Sequence, residues 1–297
     1  MRSFVALLCV LFISTGCSVV VDGSVDGLEP NPLQMRDVTV SLRDFSPHVE
    51  QLVRVEWVEN LDLLVPPPAE GRVPLVLATA VIDSAPSDCM DIRMRRGAPL
   101  VANRVDFYAD VNMNGMVDPP EDGDHTWREF LDDNGELIFI HDVQFEDLTV
   151  DPGAALLNGF EVEITGAEEH DGATATVLLI DEDTLGADAD VVLPSVTVLY
   201  VTEIESGTLS IALPGVADSG EDYDIEVRIG DNSLVCTIDD QRTPVSGPLR
   251  VEGELSSFTC APGEAPDCGG LSTACDAGDD TACADLAWQC AFVDCGR

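Results

Sequence analysis

The chain has 297 residues, with 56 acidic and 14 basic side chains and a formal net charge of −42. A field of this sign repels nucleic acid and anionic lipid head groups, so neither is an expected partner. It favours cations and basic partners, although a solvated acidic surface explains most of the charge without any function.

The N-terminus has an apolar run, Phe4–Ile13, that ends in small residues before Cys17. The run is too short to cross a bilayer, which takes about 20 apolar residues, and it is typical of a signal peptide over residues 1–16. Small residues before a Cys resemble the lipobox of bacterial lipoproteins, although Ser14 stands where that family usually has Leu. The resemblance implies a lipidated Cys17, and Ser18 then implies the outer membrane of a Gram-negative bacterium, with membrane contact only through the lipid. Ordinary secretion with a free Cys17 thiol is the alternative.

Residues 17–35 are rich in Ser, Val, Asp, Gly and Pro and are expected to form a flexible tether. After the tether the chain repeats itself with a period of about 120 residues. Asp37–His48 aligns without gaps to Gly159–His170, and Val105–Phe107 aligns to Ile225–Val227. Identity between the copies is low, so the repeat rests on their shared apolar phase and on the paired His and Pro residues.

Both copies alternate apolar and polar residues at period two, with turn clusters at intervals of roughly 8–15 residues. This pattern predicts an all-β protein with two tandem β-sandwich domains of the immunoglobulin or transthyretin-like kind. The expected domains cover residues 36–150 and 158–262, and the turn residues Asp151–Gly153 fit the boundary between them.

One segment of the first copy, Asp110–Glu121, has the most specific chemistry in the chain. It has oxygen-bearing side chains at the spacing of a calcium loop and Gly115 where such a loop bends sharply. The segment resembles the calcium loops of EF-hand and dockerin domains. The expected ligands are the side chains of Asp110, Asn112, Asn114, Asp118 and Glu121 and the carbonyl of Met116.

The flanks of this loop differ from those of an EF-hand. Arg104–Ala109 alternates as a strand does, and Pro119–Pro120 begins an irregular loop. We therefore expect a strand-borne calcium site. Two Asn ligands lower its charge and favour a weak extracellular affinity, roughly 10⁻⁴–10⁻³ M. An acidic turn that binds nothing is the alternative.

The four histidines suggest no familiar catalytic motif. His48 and His170 occupy equivalent positions between predicted strands, where a histidine commonly hydrogen-bonds a turn. His125 and His141 flank Trp127, and a zinc or acid–base site there would need a third partner that the sequence does not reveal. The chain has no nucleophile elbow, no His-Glu-x-x-His motif and no phosphate-binding glycine loop.

A second acidic segment, Leu178–Asp190, resembles the third calcium loop of C2 domains. The first C2 loop, which should supply further Asp ligands, is not recognisable. An acidic hairpin is therefore the favoured interpretation, and whether the segment binds a second calcium is left open.

The last residues, 263–297, form a cysteine-rich tail. After Cys17 the chain has eight cysteines, an even count that implies disulfides in an exported protein, and their spacing does not suit zinc. Leu271–Trp288 resembles part of a Sel1-like helical repeat, and this resemblance implies two short helices and a Cys275–Cys283 disulfide. One repeat cannot bury a solenoid core, so a short disulfide-rich helical cap is expected.

These features together predict a non-catalytic, calcium-stabilised lipoprotein of the cell envelope. It would act as a structural module or bind a surface ligand, either a glycan or a protein. The alternative is a secreted hydrolase or metal-dependent enzyme whose site converges only in three dimensions.

Overall fold

The structure is a computed structural model of the chain. It describes residues 35–63, 72, 74–99, 102–114, 123–145, 148, 158–181, 195–230, 233–263, 266–277 and 280–295. The predicted signal peptide, Cys17 and nearly all of the tether lie outside these residues. Within the described part, no helix is both long and apolar enough to span a membrane.

The described residues are mostly in β-strands, which confirms the all-β prediction in its coarse form. The strands are β1 (Met35–Arg43), β2 (Val53–Val58), β3 (Val76–Ile82), β4 (Met90–Pro99), β5 (Arg104–Ala109), β6 (His125–Phe130), β7 (Glu136–Ile140), β8 (Asn158–Thr165), β9 (Thr174–Asp181), β10 (Ser195–Glu203), β11 (Leu209–Ala217), β12 (Asp222–Ile229), β13 (Leu234–Arg242), β14 (Leu249–Glu254), β15 (Thr259–Pro262) and β16 (Phe292–Asp294). The helices are α1 (Cys268–Asp276) and α2 (Asp280–Gln289).

The strands of the described residues form three sheets. The largest has nine strands in the order β15-β13-β12-β9-β10-β3-β2-β5-β6. A four-stranded sheet, β16-β4-β1-β7, and a three-stranded sheet, β11-β8-β14, pack against it. The described residues belong to one compact unit.

The two halves of the chain have the same topology. The first half, β1–β7, contributes β4-β1-β7 to one sheet and β3-β2-β5-β6 to another. The second half, β8–β14, contributes β11-β8-β14 and β10-β9-β12-β13 in the same relative order. The pairing senses also agree, because β1–β4 and β8–β11 are antiparallel while β1–β7 and β8–β14 are parallel.

The halves meet at a seam where β3 and β10 pair in parallel. Alternate residues of β9 belong to different cores: Val177 and Leu179 pack with the second half, whereas Leu178 and Ile180 pack with the first. Successive residues of a strand point to opposite faces of a sheet. The two cores therefore lie on opposite faces of the nine-stranded sheet.

The tail packs against the first half and is joined to it covalently. β16 pairs antiparallel with β4, and Cys89 forms a disulfide with Cys295. Further disulfides are Cys236–Cys260 and Cys268–Cys290, and Cys275 is also disulfide-bonded. The side chain of Cys283 lies outside the described part, so the Cys275–Cys283 pair stays a prediction, which non-reducing peptide mapping would test.

Candidate metal centres

The predicted calcium loop leaves the end of β5, near one edge of the nine-stranded sheet. Asp110 is buried, and its Oδ1 accepts a hydrogen bond of 3.2 Å from the backbone N–H of Asn114. The side-chain oxygen of Asn112 accepts from the same N–H at 3.1 Å. Three of the predicted ligands therefore lie close together on a curled backbone. The other three, Met116, Asp118 and Glu121, lie outside the described residues.

A buried carboxylate, Asp124, lies just after the loop and was not identified by the calcium-loop pattern. Asp124 is fully buried, and its Oδ1 accepts a hydrogen bond of 3.1 Å from the backbone N–H of Val111. Burial raises the pKa of Tyr108 to about 12, and the charges of Asp110 and Asp124 add to that rise. Asp124 escaped prediction because it lies beyond the twelve residues of the calcium-loop pattern.

Three histidines from separate parts of the first half meet close to this loop. His48 Nε2 lies 3.1 Å from His141 Nε2 and 3.4 Å from His125 Nδ1. One ring nitrogen from each of the three lies within 4.8 Å of those of the other two. His48 is the third partner that the sequence did not reveal for His125 and His141.

Each histidine is positioned by backbone hydrogen bonds. His48 ends a 3-10 turn, in which its N–H donates to the Phe45 carbonyl at 2.9 Å. His125 begins β6 and pairs in register with Ala109 of β5. The His141 N–H donates to the Arg43 carbonyl at 3.0 Å, which extends the parallel pairing of β7 with β1.

The tight turn before β7 requires a glycine. Gly135 has a φ of +86°, and a Cβ atom at this position would lie 2.6 Å from the Asp37 carbonyl oxygen. Only glycine tolerates both the conformation and the close approach. The Gly135 carbonyl then accepts from the Thr39 N–H at 2.9 Å, which fixes the register of β7 and so the position of His141.

His48 forms the base of the cluster and is almost fully buried, whereas His125 and His141 are partly exposed. His48 Nδ1 lies 2.8 Å from the side-chain oxygen of Gln51. An amide oxygen can only accept, so His48 donates from Nδ1, and the lone pair of Nε2 faces the other two histidines.

Electrostatics keep this lone pair available. Burial lowers the pKa of His48 to about 4, the neighbouring His125 and His141 lower it further, and the Gln51 hydrogen bond acts in the opposite direction. Burial and then His141 also lower the pKa of His125, against the attraction of Asp124. His48 is therefore neutral at physiological pH, the form in which imidazole binds metals.

Aromatic rings surround the cluster. Trp127 lies with its ring centroid 5.5 Å from His48, 6.1 Å from His125 and 5.9 Å from His141. Phe145 stacks on His125 at 3.9 Å, and Phe45 lies 4.8 Å from His48. These rings restrict the orientations of the imidazoles and exclude water from the base of the site.

The second half provides an internal comparison. In the first half Ala109 pairs with His125, and in the second half Ile229 pairs with Leu234. Ala109 and Ile229 are equivalent, because they pair with Val53 and Ala175 on the matching strands β2 and β9. Leu234 is therefore the counterpart of His125.

The registers of β7 and β14 identify the counterpart of His141 in the same way. Ile140 pairs with Arg43 and Glu254 with Thr165, so His141 corresponds to Leu255. The second half thus keeps only His170, the counterpart of His48. Its β12–β13 connection is also much shorter, with residues 230–233 in place of 110–124. Aligning the repeats at β6 and β7 would have revealed this difference in the sequence.

No family model and no curated protein matches the chain. A crystal structure of a candidate adhesin from Bacteroides ovatus covers 82% of this chain and 100% of its own, at 10% identity and a TM-score of 0.21. A likeness this small carries no argument about function.

The low pKa of His48 predicts an acid-sensitive first half. In the unfolded chain His48 titrates near 6.5, and in the folded state near 4. Its contribution to stability is therefore complete above pH 6.5 and is lost as the pH falls from 6.5 towards 4, by about 1.4 kcal/mol per pH unit. In chelator-treated protein, His48→Gln should reduce the fall in unfolding free energy between pH 7 and pH 4.5 by about 2–3 kcal/mol.

Urea unfolding at several pH values measures this difference. His170→Gln is the matched control, and it should keep the wild-type pH dependence. If the unfolding free energies of the wild type and His48→Gln change equally with pH between pH 7 and pH 4.5, the prediction is wrong.

Proposed function

We propose that the chain is a non-catalytic lipoprotein of the bacterial cell envelope that acts as a binding or structural module and is stabilised by calcium. Its disulfides are typical of an extracytoplasmic protein. The proposed architecture is a pair of immunoglobulin- or transthyretin-like sandwiches. In each half, three strands of one sheet face four strands of another, which is consistent with that interpretation.

Calcium stabilisation is supported by the curled start of the Asp110 loop and by Asp124. Asp110 and Asp124 are both buried, and both act electrostatically on Tyr108. Carboxylates held together in a low-dielectric site repel one another, and a bound cation offsets that repulsion. The net charge of −42 makes a neutralising cation more favourable still.

A surface-binding role is supported by an exposed apolar stripe at the edge of the first half. Ile138 and Ile140 on β7 are 70% and 61% exposed, and Val143 just beyond them is 74% exposed. The equivalent positions of β14 carry Glu252 and Glu254, which suit a solvated edge. Exposed apolar patches of this kind mark binding surfaces, and a glycan or a protein is the proposed ligand class.

A metal-dependent hydrolase is the second candidate, and the histidine cluster favours it. Three histidines around one ion leave a position open for water, the usual arrangement of catalytic zinc. Hydrolysis of ester, peptide or glycoside substrates by zinc-loaded protein, and its loss in a His125→Leu variant, would favour the enzyme over the binding module.

The calcium proposal predicts a gain in stability that depends on the loop. Calcium at 100 times its dissociation constant should add about 2.7 kcal/mol to the unfolding free energy by mass action. Glu121→Gln removes the ligand expected to be bidentate and should abolish most of this gain. Asp181→Asn in the second half is the control and should leave it nearly unchanged.

Titration calorimetry and thermal melting with and without calcium measure both effects. If the wild-type protein takes up no calcium at millimolar concentration, the loop is only an acidic turn.

The lipid anchor predicts a mass change at Cys17. Protein extracted from membranes should carry a diacyl or triacyl addition at this residue, and Cys17→Ser should move the protein to the soluble fraction. Intact-mass analysis of an unmodified wild type that is cleaved elsewhere would disprove the anchor.

The apolar stripe predicts where a ligand binds. Replacing Ile138 and Ile140 by Glu, the residues of the second half, should leave the fold intact and reduce binding to a surface glycan or protein by at least about tenfold, as 1.4 kcal/mol of lost contact requires. Glu252→Gln on β14 is the control. Ligand binding is measured on glycan and peptide arrays probed with the wild type, the Ile138 and Ile140 double variant and Glu252→Gln. Equal binding by all three proteins would contradict a role for this edge.

A further inference from the structure

We propose that His48, His125 and His141 bind one divalent transition-metal ion, and that zinc fits the geometry best. This site is separate from the proposed calcium loop, because it offers imidazole nitrogens where calcium needs oxygens. Among the described residues, it is the one cluster of three or more potential His, Cys, Asp or Glu ligands at metal-binding distances.

The distances suit a tetrahedral ion. Zinc binds histidine nitrogen at 2.0–2.1 Å, so two nitrogens on one tetrahedral ion lie about 3.3 Å apart. The His48–His141 and His48–His125 nitrogen distances are 3.1 and 3.4 Å. The ligand nitrogens of His125 and His141 lie within 4.8 Å of each other, which is also compatible with binding to one ion.

His48 has the support that a metal-binding histidine needs. A ligating imidazole usually donates its second N–H to a neighbouring acceptor, which fixes the tautomer and the ring orientation. Gln51 accepts from His48 Nδ1 at 2.8 Å and leaves Nε2 directed at the other two histidines.

The fold itself does not require these histidines. Leu234 and Leu255 occupy the positions of His125 and His141 in the second half: Leu234 begins β13, and Leu255 directly follows β14. His170 forms the same 3-10 turn as His48, with its N–H donating to the Ala167 carbonyl at 2.8 Å. The turn therefore explains a histidine at position 48 but not the meeting of three imidazoles.

The three protein ligands would leave the fourth position of zinc to water or to an external group. His48 lies buried at the base, and the partly exposed His125 and His141 form the rim. The fourth position therefore faces the rim. His125 also directly follows Asp124, which holds the start of the acidic loop through Val111.

The test uses chelator-stripped full-length protein and substitutions taken from the second half. Zinc is titrated against a chromogenic chelator, with millimolar magnesium present to occupy surface carboxylates. We expect one tight site in the wild type and at least 100-fold weaker binding in the double variant His125→Leu, His141→Leu. Gln51→Ala should weaken binding 10–100-fold, the usual effect of removing the partner of a ligand.

Two controls separate this site from the rest of the molecule. His170→Gln should bind zinc as the wild type does. Glu121→Gln should also keep zinc affinity even if it loses calcium, so failure of the calcium proposal and failure of this one are distinguishable.

Two spectroscopic probes locate the metal. Co²⁺ should give the intense visible absorption of a tetrahedral nitrogen site in the wild type but not in the double variant. Cu²⁺ should quench Trp127, whose ring centroid lies 5.5–6.1 Å from all three imidazoles. Trp127→Phe should lose this quenching.

Equal zinc affinity in the wild type and the double variant would overturn the proposal and assign the binding to surface carboxylates. Absence of any tight zinc site in the wild type would also overturn it, and the histidines would then be a hydrogen-bonded cluster only.

Discussion

The parallel pairing of β3 with β10 determines the architecture of the rest of the molecule. These are equivalent edge strands of the two halves, and their pairing turns two four-stranded sheets into parts of one continuous sheet. Unpaired edge strands invite aggregation, so joining them removes two liabilities at once. Asp83 supports the seam from one end, since its carboxylate accepts hydrogen bonds from Tyr200 and Thr202.

The seam also explains why the cores exchange residues. Because equivalent strands pair in parallel, the two halves cover opposite faces of the shared sheet. Val81 of β3 packs in the core of the second half, while Leu199 and Val201 of β10 pack in the core of the first. Each half therefore completes the apolar environment of the other, and a shift in the register of this one pair would disturb both cores.

The two halves share one topology but differ in the residues that they have at matching positions. The second half has a short connection after β12. It has Leu234 and Leu255 in place of His125 and His141, and Glu252 and Glu254 on its edge strand β14. At matching positions the first half has the acidic loop, the histidine cluster and the apolar stripe of β7. All of these lie on loops or edges, where residues can change without loss of the core. The first half is therefore where the candidate binding chemistry is concentrated.

The sequence allowed prediction of the local features but not of those that depend on distant pairing. The alternation of apolar and polar residues predicted strands, and β1 shows the expected pattern, because Val38, Val40 and Leu42 are buried in the core. The same alternation predicted the strand Arg104–Ala109 that leads into the Asp110 loop. Each of these strand patterns is contained within a few residues and can therefore be recognised locally. The nine-stranded sheet was not predicted, because edge-to-edge pairing leaves no local pattern.

The histidine cluster was missed for a related reason. The turn role shared with His170 is a sufficient explanation of His48 when the sequence is considered alone. Only the chain reversal at Gly135, and with it the return of β7 beside β1, brings His141 to His48. Spacings of 77 and 93 residues from His48 to its two partners give no motif.

The tail contacts both halves of the molecule. The guanidinium groups of Arg95 on β4 and Arg228 on β12 lie 5.5 and 5.4 Å from the ring centroid of Trp288 on α2. Arg228 is buried, pairs with Glu226 and donates to the Trp288 carbonyl. A cation over an aromatic ring contributes about 0.5–2 kcal/mol, more when it is desolvated.

Since Arg95 belongs to the first half and Arg228 to the second, one tail residue contacts both. The Cys89–Cys295 disulfide and the pairing of β16 with β4 then hold the tail in place. In an oxidising compartment this connection is permanent. The two halves are therefore connected through the tail, outside the shared sheet, as well as along the parallel seam.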